Sequence, residues 1–269
     1  MDQDLSKLKE PPEGMVMPYG AQLFFTIATH IPVVISVVLG VYNIIKKKSP
    51  ALLYFAIGGY VSSLFEAIVD VNGMCYFPLD GQFVGIYNYD RAIPVFVVST
   101  YSWFMGSQGY LFKLSLDSGR LTKARLWQGW VTTMLINFFL EFPMLLLGLY
   151  VYYGAQPFKV LGFPLWWLFV NTMIPMSGGF IVHKLSPLLQ GWRSLLIILI
   201  VPMADGFSNA AIGFPMWCAL NSEMGYEATY PAFFATAGLA ILTVSVISSY
   251  LPSEPAKDGT DREREPLLR

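Results

Sequence analysis

Carboxylic acids recur at helical spacing inside otherwise apolar segments of this chain. Ser62, Glu66 and Asp70 are four apart, as are Thr133, Asn137 and Glu141, while Asp205, Ser208 and Asn209 stand at i, i+3 and i+4. Residues three and four apart share one helix face, so each segment carries one polar stripe. A carboxyl group kept from water and from cations favours its neutral form, which can donate a proton. A neighbouring ionised carboxylate can stabilise a cation and take a proton back. Glu66, Asp70, Glu141 and Asp205 are therefore the candidate acid–base residues. Asn137, Asn171, Asn209 and Gln108 are candidates to orient a substrate beside them.

Other chemistries lack their residues. The chain has no Gly-rich phosphate loop, no HExxH and no clustered Cys/His set, so neither a metal nor a cofactor is expected. It has no Asp-rich pair of the kind that binds prenyl diphosphates and no persuasive Ser–His–Asp order. A net charge of -1 without a basic stripe argues against nucleic acid as a partner.

The segments that hold the stripes read as membrane spans. The 269 residues are 55% hydrophobic and 13% charged, with mean hydropathy +0.52, too apolar for an ordinary soluble domain. Crossing the hydrocarbon takes about 20 apolar residues. Seven runs qualify, near 20–45, 51–71, 92–116, 126–152, 162–183, 194–214 and 229–250. The expected fold is an all-α integral membrane bundle of about seven helices over 19–251. A polar N-terminal tail (1–18) precedes it and a disordered tail (252–269) follows. The first run is too long for a cleavable leader and reads as a retained helix.

Charge gives the expected orientation. Lys46, Lys47 and Lys48 follow the first run, Arg120, Lys123 and Arg125 the third, and Lys184 and Arg193 the fifth. The opposite loops hold only Arg91 and Lys159 as cations. An excess of Lys and Arg marks the cytoplasmic side, which places the N-terminus outside or lumenal and the C-terminus in the cytoplasm. Both cysteines, Cys75 and Cys218, then fall on the outer side, where a disulfide is allowed by compartment and free thiols are equally compatible. The aromatic outer loops, including Tyr150, Tyr152 and Tyr153, read first as a headgroup belt.

A helical rise of about 1.5 Å per residue puts Glu66 roughly 8 Å, Asp205 roughly 14 Å and Glu141 roughly 16 Å below the outer ends of their helices. The stripes meet at overlapping levels if the three helices adjoin, with Asn171, Gln108 and His30 available to complete a ring. The plain alternative for single Asn and Ser residues is interhelical hydrogen bonding, and for His30 a packed core position. Arg91 is placed to reach Asp70 but not Asp205.

The segment Phe65-Glu66-Ala67-Ile68-Val69-Asp70, followed by Gly73-Met74-Cys75-Tyr76-Phe77-Pro78, resembles the avermectin-type spirocyclase family of membrane proteins. So do Tyr101-Ser102-Trp103-Phe104-Met105-Gly106, Glu141-Phe142-Pro143 and Tyr152-Tyr153-Gly154-Ala155-Gln156-Pro157-Phe158. Gly162-Phe163-Pro164-Leu165-Trp166-Trp167 with Asn171, and Pro215-Met216-Trp217 with Asn221, extend the resemblance from the second run to the sixth. Ala67 departs from it, standing where the family pattern has Pro. The resemblance implies closure of a dihydroxy-ketone polyketide into a spiroketal, in some members with dehydration. It also makes Trp103 a candidate substrate contact.

The resulting expectation is a membrane-embedded cyclase or dehydratase of secondary metabolism, without cofactor, acting on a lipophilic polyketide or terpenoid among membrane lipids. An epoxide-initiated meroterpenoid cyclase is the nearer alternative, although Phe65-Glu66 lacks the Trp-Glu of that group. A proton-coupled transporter is the further one, favoured by intramembrane carboxylates and disfavoured by the lack of an inverted repeat. A receptor lacks its Asp-Arg-Tyr and Asn-Pro-x-x-Tyr signatures. In the tail, Glu263, Leu267 and Leu268 have the spacing of an acidic dileucine sorting signal, which points to an endomembrane destination such as the ER or vacuole; a plasma membrane is the bacterial equivalent.

Overall fold

Proline marks the start of the first two long helices, where its missing N–H costs nothing. Pro18 precedes α1 (Tyr19–Lys47) and Pro50 precedes α2 (Ala51–Gly73). The computed structural model describes residues 4–254 and is mostly helical. After α2 come α3 (95–117), α4 (Lys123–Leu146), α5 (Trp166–Leu185), α6 (Gly191–Ile212), the short α7 (Phe214–Leu220) and α8 (Tyr226–Ser249). Glu263, Leu267 and Leu268 lie outside the described residues.

Five of these helices, α1, α2, α4, α6 and α8, are long and apolar enough to cross a membrane, as an all-α membrane protein requires. α1 and α4 expose large apolar side chains along much of their length, among them Ile31, Val38, Leu135 and Phe139. The long helices α3 and α5 are not among the five. α5 is enclosed, burying Thr172, Ser177, Gly178 and Gly179 along with its larger residues. Small and polar residues there serve helix contacts rather than lipid, which lowers hydropathy without removing the helix.

Those contacts are close. A Cβ on Gly59 of α2 would lie 2.5 Å from the Tyr101 carbonyl oxygen, and one on Gly106 of α3 would collide with that of Phe55. On α5, a Cβ at Gly179 would lie 2.5 Å from the Gly109 carbonyl oxygen of α3. Small residues thus let the α2, α3 and α5 backbones touch. α6 packs on α2 and α5, α1 on α2 and α3, and α8 on α5 and α7. α4 leans on α5 and α8 rather than on α3, leaving space between α3 and α4.

At one end of the bundle stand Lys46 to Lys48, Arg120, Lys123, Arg125, Lys184 and Arg193; this is the basic end. The other end is built of hairpins. β1 (Cys75–Tyr76) pairs with β4 (Val151–Tyr152), β2 (Val84–Asn88) with β3 (Arg91–Pro94), and β5 (Lys159–Val160) with β6 (Phe163–Pro164), all antiparallel. These strands shorten three of the expected runs. The third begins at 95 because 91–94 is committed to β3, and the fifth at 166 because Phe163 and Pro164 form β6. The fourth ends at Leu146, before Gly148 turns the chain with φ +73°. The N-terminal tail is tied across this end: Met17 N–H donates to the Asp80 carbonyl (2.8 Å), and Gly154 N–H to that of Leu5 (2.8 Å).

Candidate active site

Three of the helices that line the site contain an irregular turn. In α2 a tight 3₁₀ turn at Ser63–Phe65 immediately precedes Glu66. In α3 a wide π-type turn at Ser102–Ser107 follows Tyr101, and in α6 another at Ser208–Ile212 contains Asn209. Such turns break the 3.6-residue phase and are frequent at functional sites.

Between α2, α3, α4 and the hairpin end lies a chamber of about 80 Å³ lined by Glu66, Asp70 and Glu141 together with Asn137, Asn171 and Asn209. Glu141 is held by four hydrogen bonds. Asn137 Nδ2 (2.7 Å) and Asn171 Nδ2 (2.9 Å) donate to its Oε1, and the Tyr150 (2.9 Å) and Tyr152 (3.2 Å) hydroxyls to its Oε2. Every partner donates, so Glu141 serves as an acceptor on both oxygens, the arrangement that suits a carboxylate anion. Glu66 has one such partner, the Tyr101 hydroxyl. Asp70 is buried, and its Oδ2 has no hydrogen-bond partner among the described residues.

The cysteines do not form a bridge. Cys218 is exposed on α7, and Cys75 is a buried free thiol close to the Asp70 carboxyl. Burial pushes the Cys75 thiol well above its ordinary value, and the neighbouring carboxyl adds to the effect. It is a neutral wall of the chamber rather than a nucleophile.

Four residues expected at the site stand elsewhere. Asp205 is fully buried but lies behind the chamber wall, where Asn209 Nδ2 donates to its Oδ1 (2.8 Å). Asn209, one turn further along, presents itself to the chamber in its place. Trp103 and Gln108 line a separate groove nearer the basic end, because the wide turn rotates this part of α3 away from the carboxylates. His30 is exposed on α1, its Nδ1 against the Thr26 carbonyl (2.6 Å), and joins no ring. Arg91 acts electrostatically on Asp70 and interacts with Tyr153.

The residues missed from sequence are the phenols. Tyr150 and Tyr152 are buried, not members of a headgroup belt. The β1–β4 pairing, Cys75 opposite Tyr152, folds their segment back over Glu141. Their alternation with Leu149 and Val151 was the available signal of a strand. Among the described residues no three His, Cys, Asp or Glu side chains converge to hold a metal ion. No family model, curated protein or solved structure matches this chain.

Proposed function

We propose that this protein is a seven-helix membrane enzyme of the acid–base cyclase or dehydratase class, with its hairpin end outside or lumenal and its basic end cytoplasmic. The observation that carries the reading is the unequal provision of donors to two glutamates in one chamber: four for Glu141, one for Glu66. Two carboxyl groups in different environments divide acid and base roles between them. The residues resembling spirocyclases, Phe65 to Asp70, Tyr101 to Gly106 and Tyr152 to Phe158, supply walls of this same chamber, which supports a ketone or hemiketal as the reacting group.

In this mechanism one hydroxyl of a dihydroxy-ketone adds to the carbonyl to give a hemiketal. Glu66, oriented by Tyr101, protonates the hemiketal hydroxyl; the C–O bond breaks and water leaves. Glu141 faces the resulting oxocarbenium ion and stabilises its charge. The second hydroxyl forms the new C–O bond and its proton passes to Glu141, then returns to Glu66. The balance is one dihydroxy-ketone to one spiroketal plus water. Apolar walls such as Phe77, Phe96 and Phe104 disfavour return of that water.

The chamber's volume admits only the reacting end of a lipophilic substrate, since sites that enclose a whole drug-sized ligand measure about 300–1,000 Å³. The same small volume favours one second reading, a water-filled proton path in a transporter. Membranes containing the protein, supplied with a long-chain dihydroxy-ketone or an epoxide-terminated prenyl substrate, separate the readings. Spiroketal formation supports the proposal and cyclised terpenoid the meroterpenoid alternative. No product from either, with proton flux in proteoliposomes, replaces both with transport.

A further inference from the structure

The groove that took Trp103 and Gln108 from the chamber continues the same gap between α3 and α4 towards the basic end. On α4, Asn137 and Glu141 line the chamber while Gly129 and Thr133, on the preceding turns, line the groove. The groove's volume is about 890 Å³ against 80 Å³ for the chamber, so it has the capacity that the chamber lacks. α1 forms its far wall. Its middle is apolar, and Lys47 and Arg125 stand at its basic end without a carboxylate anywhere in the lining.

We infer that this groove is the chain-binding half of the substrate site and selects a linear lipophilic molecule with a terminal carboxylate. The inference rests on the acid–base reading of the chamber for which end reacts. The carboxylate sits between Lys47 and Arg125, the chain lies along α4 past Gly129, and the opposite end enters the chamber at Glu141. Arg125 and Glu141 are 16 residues apart on one helix, about 24 Å at the helical rise. That length fixes the substrate as a chain of roughly that reach between its acid and its reacting group. The two cations favour an anion by charge, and Trp103, whose buried indole N–H has no acceptor among the described residues, belongs to the groove wall next in sequence to Phe104 of the chamber.

Gly129 gives the test. A Cβ added there meets nothing within 4 Å, so Gly129→Trp fills the groove without opposing the helix. The probe is palmitic acid carrying a diazirine in mid-chain, photolysed with the protein in nanodiscs of zwitterionic lipid. Labelling is expected on peptides spanning 126–136 and 107–114. It should fall at least tenfold in Gly129→Trp and severalfold in Lys47→Gln/Arg125→Gln, each checked for unchanged thermal unfolding. Unlabelled palmitate should compete and its methyl ester should not. Labelling that survives Gly129→Trp, or that methyl palmitate or phosphatidylglycerol competes as well as palmitate does, overturns the inference. Labelling needs no turnover, so failure of the acid–base reading leaves this result standing and failure of the groove leaves the chamber assay standing.

Discussion

Glu66 and Glu141 face the same chamber from opposite walls, yet one is held by a single phenol and the other by two phenols and two amides. The Glu141 corner is a finished cradle: its donors come from α4, α5 and the segment of β4, and if the carboxylate is removed only Asn171 keeps an acceptor, the Asn137 Oδ1 at 3.3 Å. The Glu66 corner leaves most of its hydrogen-bonding capacity free for something else. A site that only stabilised the fold would have little reason to equip one acid so fully and leave its neighbours short of donors, including the buried, unpartnered oxygen of Asp70. On the proposed reading the difference divides the work: Glu141 waits as the proton acceptor and Glu66 gives its proton to a ligand.

The largest expected stability effect breaks the cradle. Glu141→Ala removes four hydrogen bonds, and at an average of about 0.6 kcal/mol per intramembrane hydrogen bond it costs about 2–3 kcal/mol in unfolding of the purified protein. Glu66→Ala removes one and costs about 1 kcal/mol. Equal losses in the two variants would erase the comparison. Within the cradle, Tyr150→Phe should cost about 1 kcal/mol and Tyr152→Phe less, because the Tyr152 bond is longer, 3.2 Å against 2.9 Å. The reverse order, measured in the same melts, would show that the β4 segment rather than these bonds holds the corner.

Asp205 sharpens the contrast from outside. It is buried, it has an unpartnered oxygen and it reaches the chamber only through Asn209. Asp205→Asn keeps the shape and should lower turnover by less than about tenfold, whereas removal of a general acid costs about 10²–10⁴-fold. A loss in that larger range would return Asp205 to the acid–base machinery.

The smallest effect lies at the basic end. Asp117 links α3 to α5 through His183 (2.8 Å) and also takes a hydrogen bond from Lys113. Burial opposes its charge, but hydrogen bonds from Lys113 and His183 outweigh this and hold its carboxyl below the usual carboxylate value of 3.8. A lowered folded value means stability that is present above the unfolded value and is lost as pH falls through the folded one. Asp117→Asn should therefore cost about 0.5 kcal/mol at neutral pH and nothing in strong acid; a cost that grows on acidification would contradict this pairing.

Much of the site was legible because its acids lie in apolar segments, where any ionisable residue stands out. The i, i+4 spacing placed Glu66 with Asp70 and Asn137 with Glu141 on single faces, and Asn171 joined them. The helical, membrane-spanning character was legible for a similar reason: long apolar runs admit few other structures. Two kinds of feature were hidden. Wide turns in α3 and α6 shift the helical phase, which moved Trp103 and Gln108 to the groove and put Asn209 in front of Asp205. The phenols of Tyr150 and Tyr152 reach Glu141 only through a strand pairing with Cys75 and Tyr76, a long-range contact that aromatic residues near a headgroup region do not announce. Of the two states that compartment allowed the cysteines, the free thiols are found, with Cys75 buried at that pairing.

The central claim is that Glu66 and Glu141 perform acid–base work on a bound ketone or hemiketal. It is tested most directly by single-turnover product formation from a long-chain dihydroxy-ketone carrying a terminal acid, comparing Glu66→Gln and Glu141→Gln with the wild type in membranes. The account predicts that Glu66→Gln lowers the rate about 10³-fold and that Glu141→Gln lowers it about 10²–10³-fold, with Asp205→Asn within tenfold of wild type. Wild-type rates in both glutamate variants would contradict it.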